Sequence, residues 1–320
     1  MRIVLLEEGS VSAGDVSFDE FYELGEVRSF PLTPADRLAE FVGDAEAAIC
    51  NKSPFTRFVM EQCRDLRYIG LCATGYNNID TEAASSLGIT VTNVPDYSSR
   101  AVAQQVFSYV LHFANRTADY NADVHSGGWI RSKSFSYFTI PTFELTGRVM
   151  GIVGMGSIGR ITAQIARSFG MEVIACTRTP RDIPGVRLVA MEELFSQADF
   201  ISLHCPLTEQ TAGLVNMELL RRCKKTAYII NTARGGVVNE TDLARALGEG
   251  IIAGAGVDVI SEEPMKPGNP LLDAPNCIIT PHVAWAPMET RKRLVSIAAD
   301  NLRQFIGGRR VNAVNMLNDP

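Results

Sequence analysis

The chain has 320 residues, of which 46% are hydrophobic and 21% are charged. This length predicts two domains, each large enough to bury a core, and the composition argues against a disordered chain. The formal net charge of −6 argues against a general nucleic-acid binder, because neutralising a phosphate backbone needs a basic surface.

The seven cysteines are odd in number and include no Cys-x-x-Cys pair. Most lie in or beside strand-like runs, which is typical of buried small hydrophobes in a reduced protein; a metal site or reactive thiol is the minor alternative. The first apolar run is too short for a secretion signal, and no run approaches membrane-spanning length. We therefore expect a cytoplasmic protein without a membrane partner or a bound metal.

The first hundred residues alternate strand and helix signals. Continuous apolar strands separated by helices predict a parallel sheet. The predicted strands are 2–6, 45–50, 68–73 and 89–93, with helices that include 34–42 and 81–87.

A long Ala- and Val-rich helix is predicted over residues 98–115, followed by a less regular arm over residues 116–146. The arm holds Trp129 and the aromatic group Phe135, Tyr137 and Phe138. Exposed aromatic loops often pack on a neighbouring molecule. We interpret this segment as a subunit-interface arm and expect a homodimer.

A second series of alternating strands and helices begins near residue 148. The predicted strands are 149–153, 172–176, 200–204, 227–231, 254–259 and 277–280. A final amphipathic helix, predicted over 288–306, has no strand after it and is expected to return to the first domain. The prediction is an α/β protein with two doubly wound parallel sheets and a cleft between them: residues 1–98 with 288–320, and residues 99–287.

A glycine-rich turn follows the first strand of the second series: Gly154-Met155-Gly156-Ser157-Ile158-Gly159. Such a motif is weak alone, but this one lies between a strand and a helix, as a dinucleotide site requires. Gly154 permits the turn, Gly156 lets the backbone approach a pyrophosphate, and Gly159 lets helix and strand pack closely. The phosphates would then lie on free N–H groups at the helix start. The alternative is a tight turn without a ligand.

The end of the next strand bears on the choice of cofactor. NAD-preferring proteins place an acid there for the ribose 2′-hydroxyl. Here the segment is Cys176-Thr177-Arg178-Thr179-Pro180-Arg181, which has no acid and has two arginines. Thr177 and Arg178 could hold a 2′-phosphate. The sequence favours NADP and leaves NAD open; a solvated basic loop without a role in selectivity is the alternative.

Three polar residues each follow a predicted strand of the second series: Arg234, Glu263 and His282. In an open α/β sheet the carboxyl ends of strands meet at one edge. A guanidinium can grip a carboxylate and polarise an adjacent carbonyl, and an imidazole can exchange a proton near neutral pH. Singly they could be a surface ion-pair residue, a loop acid and a core histidine. Together, behind a dinucleotide loop, they indicate a hydride-transfer enzyme.

These motifs and their order resemble the D-isomer-specific 2-hydroxyacid dehydrogenase family over nearly the whole chain. The glycine loop, Asn231-Thr232-Ala233-Arg234-Gly235 and the Glu263-Pro264 pair carry the resemblance, with the segments 204–208, 256–259 and 280–283. Residues 141–145 and 282–285 look most like bacterial glycerate dehydrogenases (hydroxypyruvate reductases). The family implies a Rossmann-type nucleotide domain and a flavodoxin-like substrate domain.

The resemblance also implies roles for individual residues. Arg234 would bind the substrate carboxylate and carbonyl oxygen, His282 would be the general acid or base, and Glu263 would orient His282. Asp258 would contact the nicotinamide side of the cofactor. Further cofactor contacts are implied for residues of the glycine loop and of three later turns: Met155, Ser157, Ile158, Thr177, Arg178, His204, Pro206, Thr232 and Ala233.

In the first domain, Thr74, Gly75 and Tyr76 would offer backbone N–H groups to the substrate carboxylate. Lys52 is a weaker candidate, since a surface lysine is about as consistent with the sequence. The implied reaction is NAD(P)-dependent reduction of a small 2-keto acid, hydroxypyruvate or glyoxylate, to its D-2-hydroxy acid, and the reverse oxidation. The alternatives are another D-2-hydroxy acid such as D-lactate, or a dinucleotide-sensing corepressor-like binding protein.

Overall fold

The computed structural model describes residues 1–179 and 183–316. Arg181, the second arginine of the predicted cofactor loop, lies outside the described residues. The chain divides into two compact units, Met1–Ser98 with Trp285–Pro320 and Ser99–Ala284. The boundary near residue 285 falls slightly before the predicted one at 287/288, since the turn after Ala284 already belongs to the first unit.

Helices and strands alternate along most of the chain. The strands are β1 Arg2–Leu5, β2 Glu26–Ser29, β3 Ala47–Cys50, β4 Tyr68–Leu71, β5 Thr90–Thr92, β6 Val149–Val153, β7 Glu172–Cys176, β8 Arg187–Leu188, β9 Phe200–Leu203, β10 Tyr228–Asn231, β11 Gly254–Val257 and β12 Cys277–Ile279. The α-helices are α1 Glu8–Val11, α2 Asp19–Tyr22, α3 Leu38–Val42, α4 Arg57–Gln62, α5 Thr81–Ser86, α6 Ser99–Asn115, α7 Thr117–His125, α8 Gly128–Arg131, α9 Ser157–Ser168, α10 Met191–Gln197, α11 Met217–Leu220, α12 Glu240–Gly248 and α13 Met288–Ile306.

The first unit is built on a parallel sheet with the strand order β2-β1-β3-β4-β5. This is the flavodoxin-like order. Strands β3 and β4 are buried along their whole length, which explains their unbroken apolar sequences. Strand β2 was not predicted, because it lies at the edge and its residues alternate between exposed and half-buried.

Helix α13 belongs to the first unit. Its buried face, which includes Leu294, Ala298 and Leu302, packs in one cluster with Ile3 and Tyr68 of the first sheet. The helix ends at Ile306, followed by Gly307.

The second unit is built on a seven-stranded parallel sheet with the order β12-β11-β10-β9-β6-β7-β8. Counted from β6, this is the Rossmann order 3-2-1-4-5-6 with β12 added at the far edge. The predicted fold class, two doubly wound parallel-sheet α/β domains, is therefore confirmed. The two-residue strand β8 was not predicted, since it is too short to show a period.

The arm after α6 is more regular than predicted, because it contains helices α7 and α8. Four of its apolar side chains are exposed: Trp129 is 54% exposed, and Ile130, Phe135 and Phe138 are each 89% exposed. Across the described residues, every helix is too short or too polar to cross a membrane.

Candidate active site

The loops that leave β10, β11 and β12 bring two of the three predicted catalytic side chains into contact. His282 follows β12, and its Nδ1 lies 2.7 Å from Oε2 of Glu263, in the loop after β11. Both side chains are about one-third exposed, at 28% and 36%. The carboxylate thus fixes the orientation of the ring and leaves Nε2 as the nitrogen that can exchange a proton with a ligand.

The backbone at His282 adopts a left-handed conformation, with φ of 53°. A non-glycine residue holds this conformation only when its surroundings stabilise it. The His282 N–H donates to the backbone carbonyls of Asp258 at 2.7 Å and Thr280 at 3.0 Å. This backbone turn directs the imidazole of His282 towards the loop that carries Glu263.

Asp258, at the end of β11, is only 2% exposed and organises the same turn. Its carboxylate accepts hydrogen bonds from the backbone N–H groups of Val283 and Ala284, both at 2.9 Å, and from the hydroxyl of Thr280. These hydrogen bonds let Asp258 position the turn that carries His282. The contact between Asp258 and the cofactor stays a prediction.

Tyr109 on α6 adds a further hydrogen bond to this network. Its hydroxyl lies 2.5 Å from Oγ1 of Thr280, which in turn donates to Asp258. The ring crosses β11 at Gly256, where a Cβ atom would come within 2.6 Å of the Tyr109 ring. Sequence analysis missed Tyr109, because a tyrosine on an apolar helix face is ordinarily a packing residue.

Arg234 follows β10 in a turn shaped by Asn231. The Asn231 side chain donates to the Arg234 carbonyl at 3.0 Å and accepts from the Ala233 N–H at 3.1 Å. The guanidinium is exposed, and its Nη1 donates to the neighbouring Ala233 carbonyl at 2.7 Å. The remaining donors of its planar fork suit a carboxylate ligand.

Gly235 explains how the Arg234 turn meets the loop that carries Glu263. A Cβ atom at Gly235 would lie 1.8 Å from the carbonyl carbon of Ile260 and 2.3 Å from the nitrogen of Ser261. Only glycine permits this contact. The guanidinium of Arg234 and the carboxylate of Glu263 are therefore carried by adjacent, tightly packed loops.

The glycine loop joins β6 to α9 in the geometry that the motif predicted. Gly154 has φ of 98°, and Gly159 packs so closely that a Cβ atom there would lie 2.2 Å from the Gly154 carbonyl oxygen. No side chain caps the start of α9 at Gly156. Space for a Cβ atom at Gly156 is open, so its backbone is accessible from outside.

The remaining predicted cofactor residues surround this loop. Thr177 is half-buried, whereas Arg178 and Pro206 are exposed. His204 follows β9, and its Nε2 lies 2.9 Å from the Ser202 hydroxyl. Burial lowers the pKa of His204 to about 4, so the ring is neutral at physiological pH.

In the first unit, the loops at the carboxyl edge of the sheet are tied together by polar contacts. Glu7, after β1, accepts from three consecutive backbone N–H groups, those of Asn51 at 2.9 Å, Lys52 at 2.7 Å and Ser53 at 2.8 Å. Sequence analysis missed Glu7, because no pattern marks it. The Lys52 N–H therefore already donates to Glu7, so the exposed side chain of Lys52 is its candidate group for substrate binding.

The neighbouring loop holds the other predicted substrate residues. The Thr74 hydroxyl donates to the Val94 carbonyl at 2.7 Å, and Asn78 donates to the Ser53 carbonyl at 2.9 Å. Thr74 and Tyr76 are exposed, and Gly75 is half-exposed. The structure thus places these residues on an accessible loop that is linked to the loop 51–53.

Comparison with known proteins decides the family. The family model for the D-isomer specific 2-hydroxyacid dehydrogenase, NAD binding domain, matches residues 107–284. The chain belongs to the D-isomer-specific 2-hydroxyacid dehydrogenase family.

Full-length relatives of this dehydrogenase agree with that assignment. It is 41% identical to a hydroxypyruvate reductase of Blautia hydrogenotrophica, with 98% of this chain and 100% of the relative covered. It is 38% identical to a glycerate dehydrogenase of Methylorubrum extorquens, with 98% of each chain covered. The solved structure of the TT0316 protein from Thermus thermophilus is 34% identical, with a TM-score of 0.88 and coverage of 98% and 100%.

This dehydrogenase uses a nicotinamide dinucleotide, and its second unit fits that cofactor on structural grounds. The open backbone at Gly156 offers space for a pyrophosphate against the start of α9. Two polar atoms at the same sheet edge, Nδ1 of His204 and Oγ1 of Thr232, are buried and have no hydrogen-bond partner among the residues that the structure describes. Such atoms ordinarily mark a missing partner. Over residues 1–179 and 183–316, no cluster of three or more potential ligands is arranged to hold a metal ion.

Proposed function

We propose that this dehydrogenase reduces a small 2-keto acid, hydroxypyruvate or glyoxylate, to the D-2-hydroxy acid, with His282 as the general acid. The observation that carries the proposal is the 2.7 Å contact between His282 Nδ1 and Glu263 Oε2 at the carboxyl edge of the second sheet. A ring fixed through Nδ1 presents Nε2 to the substrate oxygen. In the reverse oxidation the same nitrogen takes the proton back.

Each residue then has one task. When bound, the reduced dinucleotide supplies the hydride that adds to substrate C2. Arg234 binds the substrate carboxylate and stabilises the charge that develops on the carbonyl oxygen. Glu263 holds the His282 ring in its reactive tautomer. For the first unit, taken by itself, we propose that the N–H groups of Thr74, Gly75 and Tyr76 bind a carboxylate.

Two substitutions test these roles. Without an acid to protonate the oxygen, His282→Ala should lower kcat/KM by roughly 10²–10⁴-fold. Without the guanidinium, Arg234→Ala should lower it by roughly 10²–10³-fold. Steady-state kinetics measures both losses, and fluorescence titration should show unchanged dinucleotide affinity. Matched controls are His125→Ala, an exposed histidine on α7, and Arg245→Ala, a surface ion-pair residue. Near-normal turnover in either active-site variant would refute its role.

The choice of substrate is supported by the two relatives named for hydroxypyruvate and glycerate. It can be tested independently of the roles proposed for Arg234, Glu263 and His282. A panel of hydroxypyruvate, glyoxylate, pyruvate and larger keto acids should give the highest kcat/KM for one of the first two. Each methylene of mismatch changes binding by ~1–3 kcal/mol, so the panel should show clear differences. A preference for pyruvate would redirect the proposal to D-lactate.

For the cofactor, we propose a preference for NADPH over NADH. The support is the end of β7, where half-buried Thr177 and exposed Arg178 stand in place of an acid. Arg178→Ala should raise the KM for NADPH by roughly 10-fold to 100-fold and leave that for NADH nearly unchanged, because a charged hydrogen bond to a phosphate contributes about 1.5–3 kcal/mol. Thr177→Asp should reverse the preference. A wild-type enzyme that prefers NADH would contradict the proposal.

We further propose that the enzyme is a cytoplasmic homodimer formed through the arm after α6. The exposed apolar side chains of Ile130, Phe135 and Phe138 support this assignment. Sedimentation should give the mass of two chains, and the double variant Phe135→Ser with Phe138→Ser should shift it to one. A monomeric wild-type enzyme would exclude the arm as a dimer interface.

A further inference from the structure

Glu240 holds the loop that carries Glu263. It is the first residue of α12, and its carboxylate turns to the loop after β11. Oε1 accepts from the backbone N–H of Ser261, and Oε2 accepts from the side-chain amide of Asn269 at 2.8 Å. One carboxylate therefore joins two points of the loop, Ser261 and Asn269.

The same part of the loop also packs against Gly235. A Cβ atom at Gly235 would lie 1.8 Å from the carbonyl carbon of Ile260, so the backbone at 260–261 is in close contact with the Arg234 turn. The hydrogen bond from the Ser261 N–H to Glu240 ties the same backbone to the start of α12. The first residues of the loop are thus held by a glycine backbone and by a carboxylate.

Confinement of this backbone sets the position of Glu263. The Ile260 N–H donates to Glu263 Oε1 at 3.3 Å, while Glu263 Oε2 holds His282 Nδ1 at 2.7 Å. A shift of the backbone at 260–261 therefore moves one anchor of the carboxylate that orients the imidazole.

Capping of the helix does not account for Glu240. The N-cap of α12 is Asn239, whose side chain accepts from the Asp242 N–H at 3.1 Å. Asp242 also lies in the first turn and supplies negative charge to the positive end of the helix dipole. The contacts of Glu240 are instead with a loop more than 20 residues further along the chain.

We propose that Glu240 is a positioning residue for the acid–base pair, acting through Ser261 and Glu263 on His282. The inference rests on the proposed roles of Glu263 and His282. It predicts that loss of Glu240 lowers the rate of the chemical step and leaves the binding of dinucleotide unchanged.

The kinetic test uses two substitutions of Glu240 and one control. Glu240→Ala should lower kcat between about 10-fold and 100-fold, the range expected for a displacement of up to about 1 Å at a reacting group. Glu240→Gln retains an oxygen for the Ser261 N–H and should recover most of that loss. The control is Glu262→Gln, in the same loop, whose carboxylate pairs only with surface Lys266 among the contacts observed. Thermal melting of each variant confirms that it is folded.

A spectroscopic measurement separates positioning from general loss of stability. The chain has four histidines, so ¹⁵N-histidine labelling gives few imidazole resonances, and the His282 signal is identified by its loss in His282→Ala. The Nδ1–H resonance of His282 should shift or broaden in Glu240→Ala and remain unchanged in Glu262→Gln. The same resonance should lose its downfield position in Glu263→Gln.

The double variant completes the test. If Glu240 acts through Glu263, then adding Glu240→Ala to Glu263→Gln should lower kcat no further. Additive losses, or a wild-type kcat and an unmoved His282 resonance in Glu240→Ala, would overturn the inference. If instead Glu263→Gln itself leaves kcat unchanged, the proposed function fails at its acid–base pair. The two failures are therefore distinguishable.

Discussion

Both sheets have polar loops at their carboxyl edges, but the groups in these loops differ in whether a side chain of the protein already binds them. In the first unit, the N–H groups of residues 51–53 all donate to Glu7 of the same chain. In the second unit, the backbone at Gly156 is open, and the guanidinium of Arg234 is exposed. Parallel sheets create anion-attracting loops at both edges. An internal carboxylate, that of Glu7, occupies the loop 51–53, whereas the glycine loop at Gly156 and the guanidinium of Arg234 remain accessible to a ligand.

Loss of Glu7 should therefore act mainly on the stability of the first unit, whereas loss of the close backbone contact at Gly235 should act on the reaction in the second. The loop 74–76, which Glu7 does not occupy, remains accessible at the first edge. The effects on the two units can be measured separately.

The largest effect is expected in the second unit, from Gly235→Ala. A Cβ atom there would overlap the Ile260 backbone at 1.8 Å, so the Arg234 turn and the Glu263 loop must separate. We expect kcat/KM to fall on the order of 10²-fold, because about 1 Å of displacement at a reacting group has that effect. Steady-state kinetics on purified variants measures it.

The adjacent glycine provides the control for this prediction. A Cβ atom at Gly236 would meet only the flexible end of the Leu207 side chain, at 3.1 Å. Gly236→Ala should therefore keep most of the activity. Equal losses in the two variants would show that the separation of the loops is not the cause.

A smaller effect is expected in the first unit, from Glu7→Ala. The substitution leaves three neighbouring N–H groups without their acceptor, and we expect the free energy of unfolding to fall on the order of 3 kcal/mol. Because Asn78 links the loop 51–53 to the loop 74–78, the KM for the keto acid should rise as well. Urea unfolding and steady-state kinetics measure the two quantities.

Glu8→Ala is the matched control for Glu7, because the Glu8 carboxylate accepts from a single side chain, the hydroxyl of Ser29. Its loss should lower the free energy of unfolding by about 1 kcal/mol. Dinucleotide affinity should be unchanged in both variants, since the predicted cofactor residues lie in the second unit. A loss of dinucleotide affinity in Glu7→Ala would contradict the expectation that Glu7 affects only the first unit.

The sequence predicted the accessible edge better than the occupied one, for a physical reason. Buried parallel strands produce continuous apolar runs, and the residues that follow them, such as Arg234 and His282, can be found by position alone. Glycines with a required conformation are also visible in sequence, as Gly154 shows with its φ of 98°.

Residues that act through backbone contacts leave no such signal. Glu7 binds N–H groups 44 to 46 residues away, and Glu240 binds one 21 residues away, so no local spacing marks either. The burial of Asp258 among turn N–H groups was missed for the same reason. Strand β2 escaped prediction because an edge strand with half-exposed residues lacks an apolar run.

The smallest effect concerns His204, which lies at the accessible edge and yet is uncharged. Burial lowers the pKa of its imidazole to about 4, whereas the unfolded chain takes up a proton near pH 6.5. Between these values the unfolded state binds more protons, so the free energy of unfolding falls as the pH falls from about 6.5 towards 4. From pH 7 to pH 5 we expect His204 to contribute a loss of about 2 kcal/mol. His204→Gln should remove that part of the pH dependence in urea unfolding, and the exposed His125→Gln should not. If the free energy of unfolding depends on pH equally in the wild type and in His204→Gln, the fold does not hold the His204 ring neutral. The accessible edge of the second sheet would then carry a positive charge at acidic pH.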